Sequence, residues 1–293
     1  MFLLFLINFL FALTYPLISY ALTLATPLTI IIIRMLISGL ILLIFQSFKD
    51  IKLLKIKKKD LFIFIITCIL HMYIGFVMET FALQRLSGIQ VSVFYLISPL
   101  ISSLIGYFIN KEILNKTQII CIFFGIFISF CTIINFDFKN FYFSKKLFIP
   151  YLQLFICIVS TTFAWYQIKK FLNKGYQLIT INGYAAIISS ILSYITHCFY
   201  ENKFTLICID YISLIKIIIF LVLIANIIAY NFYFYLLKKY TITTIVLAEF
   251  LTPFFSAFLL LIFNGTTPSY VDLFSFFCFI LIIYIFNNSY KNK

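Results

Sequence analysis

Polar breaks divide this chain into ten apolar runs, each about the length that crosses a bilayer, and that division limits what the chain can become. The runs fall at Phe2–Ala21, Pro27–Ser47, Leu61–Leu83, Gly88–Phe108, Thr117–Asn135, Leu147–Ile168, Leu178–Phe199, Ile212–Leu237, Thr241–Phe263 and Val271–Phe286. An α-helix needs about 20 predominantly apolar residues to cross the hydrocarbon core. The second run reads PLTIIIIRMLISGLILLIFQS, with Pro27 in the first turn, where its missing N–H leaves no helical bond unmade. Composition agrees. Hydrophobic residues make up 64% of the chain and charged residues 11%, against about 45–50% and about 25% in soluble domains. A water-soluble globule of 293 residues could not hide so much apolar surface. The first run lacks a basic leader and nine more follow it, so it reads as a helix and not as a signal peptide. The expected fold is an all-α integral membrane protein of ten transmembrane helices.

The net charge of +13 does not mark a nucleic-acid binder. The lysines sit in short clusters between apolar runs, as in membrane loops, and do not form one continuous face. With the N-terminus in the cytoplasm, the loops on that side carry Lys49, Lys52, Lys55, Lys57, Lys58, Lys59, Lys111, Lys116, Lys169, Lys170, Lys174, Lys238, Lys239, Lys291 and Lys293. The opposite side carries only Arg85, Lys139, Lys145, Lys146, Lys203 and Lys216. Both termini are therefore expected to be cytoplasmic. The abundance of Phe, Ile, Lys, Asn and Tyr resembles the AT-rich coding of host-dependent bacteria, and a bacterial inner membrane is the expected location. None of the seven cysteines forms a CxxC pair, and Cys198 with Cys208 is the pair spaced for a disulfide across one connection.

Shifting the chain along itself by 154 residues brings Pro99 onto Pro253, Leu83 onto Leu237, Ser102 onto Ser256, Asn110 onto Asn264 and Arg85 onto Lys239. Residues 1–140 and 141–293 then each hold five runs. An odd number of spans per repeat forces the halves into opposite orientations, and inverted repeats place a binding site near the bilayer midplane.

At this point the chain resembles the drug/metabolite transporter superfamily, and within it the EamA-type ten-helix carriers. Pro27 followed by Arg34 is similar to the family's pattern in the second span. The stretch FALQRLSGIQVSVFYLISPLISSLIGYFINKEILNKTQIICIFFGIFI resembles its third-to-fifth-span block, through Ala82-Leu83, Pro99, Glu112 and Gly125. YLLKKYTITTIVLAEFLTPFF resembles the matching block of the second half, with Pro253 in the place of Pro99. Thr266 stands where a second acidic residue is usual, and Tyr15-Pro16 where a Trp-Gly is common. The resemblance implies two five-helix repeats and a cargo among amino acids, nucleotide derivatives and other small solutes.

Ionisable groups at bilayer depth cost about 2.5–3.5 kcal/mol on insertion scales, so those present are candidates for function. Arg34 lies seven residues into its span, either snorkelling or anchoring an anionic group. His71 and Glu249 lie at similar mid-depth and are candidates for a hydrogen-bonded pair that binds a proton or a cationic group. Glu79 is an access residue or a partner for Arg34. Tyr95, the repeat counterpart of Glu249, joins Asn226, Tyr230 and Asn231 as neutral candidates for a cavity wall. Trp165 and Tyr166 read as an interfacial aromatic belt. Ser98, Ser102 and Gly106, with Cys121, Gly125 and Ser129, recur every four residues and allow close helix approach. Pro99 and Pro253 are expected kinks that serve as hinges. No metal or cofactor is expected, since His71 and His197 lie on different spans and no P-loop or nucleophile elbow is present. The expectation is a gradient-driven or exchange carrier, acting as monomer or homodimer, with a proton as candidate coupling ion. Amino acids are the first cargo considered and S-adenosylmethionine the second, with a channel or scaffold as the alternative class.

Overall fold

A computed structural model describes residues 2–110, 115–133, 145–201, 206–240, 245, 249–265 and 267–291. Glu112, Thr266, Lys139 and the start of the ninth run lie outside them. The described residues are mostly helical: α1 (Phe2–Leu24), α2 (Pro27–Lys49), α3 (Lys58–Leu83), α4 (Gly88–Ile109), α5 (Lys116–Ile133), α6 (Lys145–Asn173), α7 (Leu178–Tyr200), α8 (Tyr211–Lys239), α9 (Thr252–Asn264) and α10 (Tyr270–Lys291). Seven of these are long and apolar enough to cross a membrane, and α5, α9 and α10 contain shorter apolar helices. The protein is a multi-pass membrane protein, with exposed Phe, Ile and Leu side chains studding its outer faces.

Local chemistry sets where helices begin. Ser87 and Gln90 open α4 with a reciprocal cap: the Ser87 hydroxyl accepts from the Gln90 N–H (3.2 Å) and the Gln90 side chain accepts from the Ser87 N–H (3.0 Å). Asn115 with Gln118 and Ser269 with Asp272 repeat the device at α5 and α10. At α8, the Asp210 carboxylate accepts from the N–H groups of Ile212 and Ser213.

The most extensive packing in the molecule joins α2 and α7. Close approach demands glycine there. A Cβ on Gly39 would lie 2.7 Å from Ile187, and one on Gly183 2.8 Å from Leu43. Farther along, the Ser190 hydroxyl donates to the Ile32 carbonyl (3.0 Å). Contacts pairing 43 with 183, 39 with 187 and 32 with 190 mean that the two helices run antiparallel.

Loops clasp both ends of this pair. At the start of α2, the Thr26 N–H donates to Ile207 O (3.4 Å), the Ile209 N–H donates to Leu24 O (2.8 Å), and Ala25 and Cys208 form a β-bridge. Cys198 and Cys208 are free thiols, so the disulfide considered from sequence does not form; Cys208 is held by backbone pairing instead. At the other end, the Thr180 hydroxyl donates to Leu53 O (3.0 Å). Beside it the buried Asp60 carboxylate accepts from Lys174 (2.6 Å) and from the Tyr176 hydroxyl (2.7 Å).

Two spans are not regular α-helices. α3 widens into a π-helical turn at Ile69–Ile74 and α8 does so at Val222–Ala229. Such turns loosen the i→i+4 ladder and frequently sit at functional sites. Tyr95–Ile97 and Glu249–Leu251 tighten into 3₁₀ turns, and thirteen-residue helices follow each, Ser98–Asn110 and Thr252–Asn264. Pro99 and Pro253 follow these tightened turns directly, and Tyr95 O accepts from the Ser98 hydroxyl (2.6 Å) where Pro99 has no N–H to offer.

Candidate functional site

A buried cavity lies between the two main apolar clusters, with about 780 Å³ of empty space, part of it continuous with solvent. α1 contributes Phe11, Thr14, Tyr15 and Ile18, and α2 contributes Arg34. The wall of α3 is His71, Gly75, Phe76 and Glu79, and that of α6 is Cys157, Thr161 and Trp165. Tyr95, Ala225, Tyr230, Glu249 and Thr252 complete it. The π-turns put His71 and Ala225 on this wall and the 3₁₀ turns put Tyr95 and Glu249 there.

Arg34 is only 3% exposed and does not snorkel. Its Nε donates to Asn226 Oδ1 (2.8 Å), and its guanidinium lies 4.7 Å over the Phe76 ring. Asn226 is itself anchored: its carbonyl, loosened by the π-turn, accepts from Asn182 Nδ2 (2.9 Å) and Asn231 Nδ2 (3.3 Å). Asn226 and Asn231 are thus absent from the lining and act behind it. With Nε committed, the two terminal nitrogens of Arg34 remain available to the cavity. No carboxylate approaches within ion-pair distance of Arg34 among the described residues, so a direct Arg34–Glu79 bridge is not formed.

Glu249 accepts hydrogen bonds from the Ser98 hydroxyl (3.2 Å) and the Tyr233 hydroxyl (3.2 Å). The His71–Glu249 hydrogen bond considered from sequence is absent, since neither imidazole nitrogen has a partner. The rings of Tyr230 and Phe234 surround His71 instead, at 5.6 and 5.4 Å. Glu79 sits beside Tyr95, whose hydroxyl lies 3.0 Å from the Cys157 sulfur.

The aromatic-belt reading of Trp165 and Tyr166 is corrected. Both are buried. The Trp165 ring lies tilted against Tyr233, with centroids 4.8 Å apart, and lines the cavity, while the Tyr166 hydroxyl donates to Ser102 O (2.9 Å). Cys157 and Thr161 carried no sequence signal, because a Cys or Thr in an apolar run reads as packing.

The pocket thus holds one arginine and two carboxylates among helices long and apolar enough to cross a membrane. The EamA-like transporter family matches residues 1–134 and 148–288, and the chain belongs to that family. It is similar to the S-adenosylmethionine/S-adenosylhomocysteine transporter of Chlamydia muridarum (strain MoPn / Nigg), 23% identical over 263 residues, 88% of this chain and 81% of that protein. The protein of the same name from Chlamydia trachomatis serovar L2 is also 23% identical, across 79% of its length. A solved crystal structure shares the fold, with a TM-score of 0.65 at 15% identity, covering 96% of this chain and 95% of that one.

Proposed function

We propose that this protein is a gradient-driven or exchange carrier with ten spans, built from two inverted five-helix repeats, residues 1–140 and 141–293. The offset of 154 residues supports it: the 3₁₀ turns start at Tyr95 and Glu249, and the helices that follow start at Ser98 and Thr252. The clasps obey the same offset, Leu53–Thr180 at one end and Ile207–Thr26 at the other. α2 and its counterpart α7 run antiparallel, as inversion requires, and the family match falls in two stretches of similar length. Both termini are cytoplasmic in this reading, and the membrane is a bacterial inner membrane.

The observation that carries the cargo assignment is the ionic content of the cavity. Arg34 offers a fork for a carboxylate, and Glu79 faces the same space and suits an ammonium group. The cargo is a metabolite bearing an α-amino-acid group. S-adenosylmethionine is favoured over free amino acids by Glu249, the second carboxylate. Arg34 with the two carboxylates gives the wall up to one excess negative charge, and S-adenosylmethionine carries one excess positive charge through its sulfonium. The aromatic wall suits that sulfonium, and the names of the two relatives support the same cargo. No nucleotide-binding motif is present, so movement follows a gradient or exchange, with a proton as candidate coupling ion. Uptake of labelled S-adenosylmethionine and amino acids into proteoliposomes, with and without a proton gradient, tests the reading. Saturable uptake of the sulfonium compound supports it; saturable uptake of amino acids alone returns the cargo to that class.

A further inference from the structure

The cavity is graded along its length. α3 and α6 meet where a Cβ on Gly75 would lie 2.6 Å from the Thr161 methyl group. One turn away on α3 stand His71 to one side and Glu79 to the other. One turn away on α6 stand Trp165 and Cys157. Cys157 and Tyr95 fall at the Glu79 end, so His71 and Trp165 share the opposite end. Eight residues of helix, about 12 Å, separate the two ends.

The Glu79 end is polar and partnered. The other end holds an unmet demand. His71 is 1% exposed and Trp165 8% exposed, and none of their three ring nitrogens, His71 Nδ1, His71 Nε2 and Trp165 Nε1, has a hydrogen-bond partner. Buried polar groups in folded proteins are nearly always paired, and each exception asks for an explanation. Flat rings surround the pair: Tyr233 lies against Trp165, while Tyr230 and Phe234 lie against His71. Both side chains line the cavity.

We infer that His71 and Trp165 form a subsite for a planar nitrogen heterocycle of the purine-base class, whose edge pairs with their free ring nitrogens while its faces lie against the aromatic wall. A neutral imidazole offers one donor and one acceptor, and an indole offers one donor. Together they match a ring edge that presents an exocyclic amino group beside ring-nitrogen acceptors. The inference rests on reading the cavity as the cargo site and orients the cargo within it, amino-acid group toward Arg34 and Glu79, base toward His71 and Trp165.

Trp165 is the single tryptophan of the chain and therefore reports on its own site. The full-length protein in lipid nanodiscs is titrated with adenosine and separately with methionine. Tryptophan emission is excited at the red edge, where adenine does not absorb. Saturable perturbation by adenosine and none by methionine is expected. In competition against labelled S-adenosylmethionine, His71→Phe and Trp165→Phe are expected to weaken adenosine by about tenfold or more and leave methionine unchanged, while His71→Gln, which keeps a donor and an acceptor, is expected to retain adenosine competition. Saturable S-adenosylmethionine uptake with no change in Trp165 emission overturns the subsite and leaves the carrier reading standing. Equal weakening of methionine and adenosine in the Phe variants also overturns it. No saturable uptake of any amino-acid-bearing solute removes the carrier reading and the subsite together.

Discussion

Arg34 shows how one residue can be both buried and available. Its Nε is spent on Asn226, which fixes the plane of the guanidinium and leaves the terminal nitrogens for cargo. Lysine has no such fork and cannot hold Asn226 and a carboxylate in one geometry. Arg34→Lys is therefore predicted to reduce uptake at low cargo concentration by about tenfold or more, as initial rates would record. Asn226→Ala is predicted to raise KM by several-fold with a smaller effect on maximal rate, because the guanidinium stays but loses its aim. Glu249→Gln removes the charge while retaining a carbonyl oxygen for Ser98 or Tyr233. It is predicted to discriminate against cationic cargo more than against neutral amino acids in the same competition assay. Bilayer cost is what made Arg34, His71, Glu79 and Glu249 legible in the sequence, since a group that costs so much to insert needs a reason. Trp165, Cys157 and Thr161 carry little insertion cost, so depth alone gave them no weight. Similar depth likewise could not reveal that His71 and Glu249 would line one cavity without bonding.

At the scale of elements, ordinary α-helical periodicity located the spans but not their irregular turns. The sequence LHMYI within α3 reads as helix, and the π-turn that aims His71 inward depends on tertiary packing against α6 and α7. The prolines were visible, yet their place after 3₁₀ turns was not. The α2–α7 contact gives two sharper tests. Gly39→Leu must displace Ile187 and is predicted to cost about 1–3 kcal/mol, as overpacking does; a lowered Tm of the purified protein would register it. The clasps at both ends of this pair are formed at once. Residues 25 and 208 face each other in a β-bridge, and paired residues there stand about 4.5–5.5 Å apart, suitable for a disulfide. Ala25→Cys is predicted to cross-link to Cys208 on oxidation and to leave uptake unchanged; uptake blocked by the cross-link and restored by reductant would make that clasp a moving gate.

For the whole molecule, the legible part was the membrane class and the family, because hydropathy and loop charge act over the entire chain. The cavity was legible only as a list of buried charges. Its walls come from both proposed repeats, and no local pattern brings Glu79 and Tyr95 to Cys157, residues from distant parts of the chain. The central claim is that this cavity carries cargo by alternating between the two faces of the membrane, and counterflow tests it most directly. Proteoliposomes loaded with unlabelled S-adenosylmethionine receive a trace of labelled compound outside, with no other gradient imposed. Carrier action predicts a transient accumulation of label above equilibrium, saturable in external cargo and lost when the interior is empty. Label that merely equilibrates, at a rate linear in external concentration and indifferent to what lies inside, would contradict it and describe a channel.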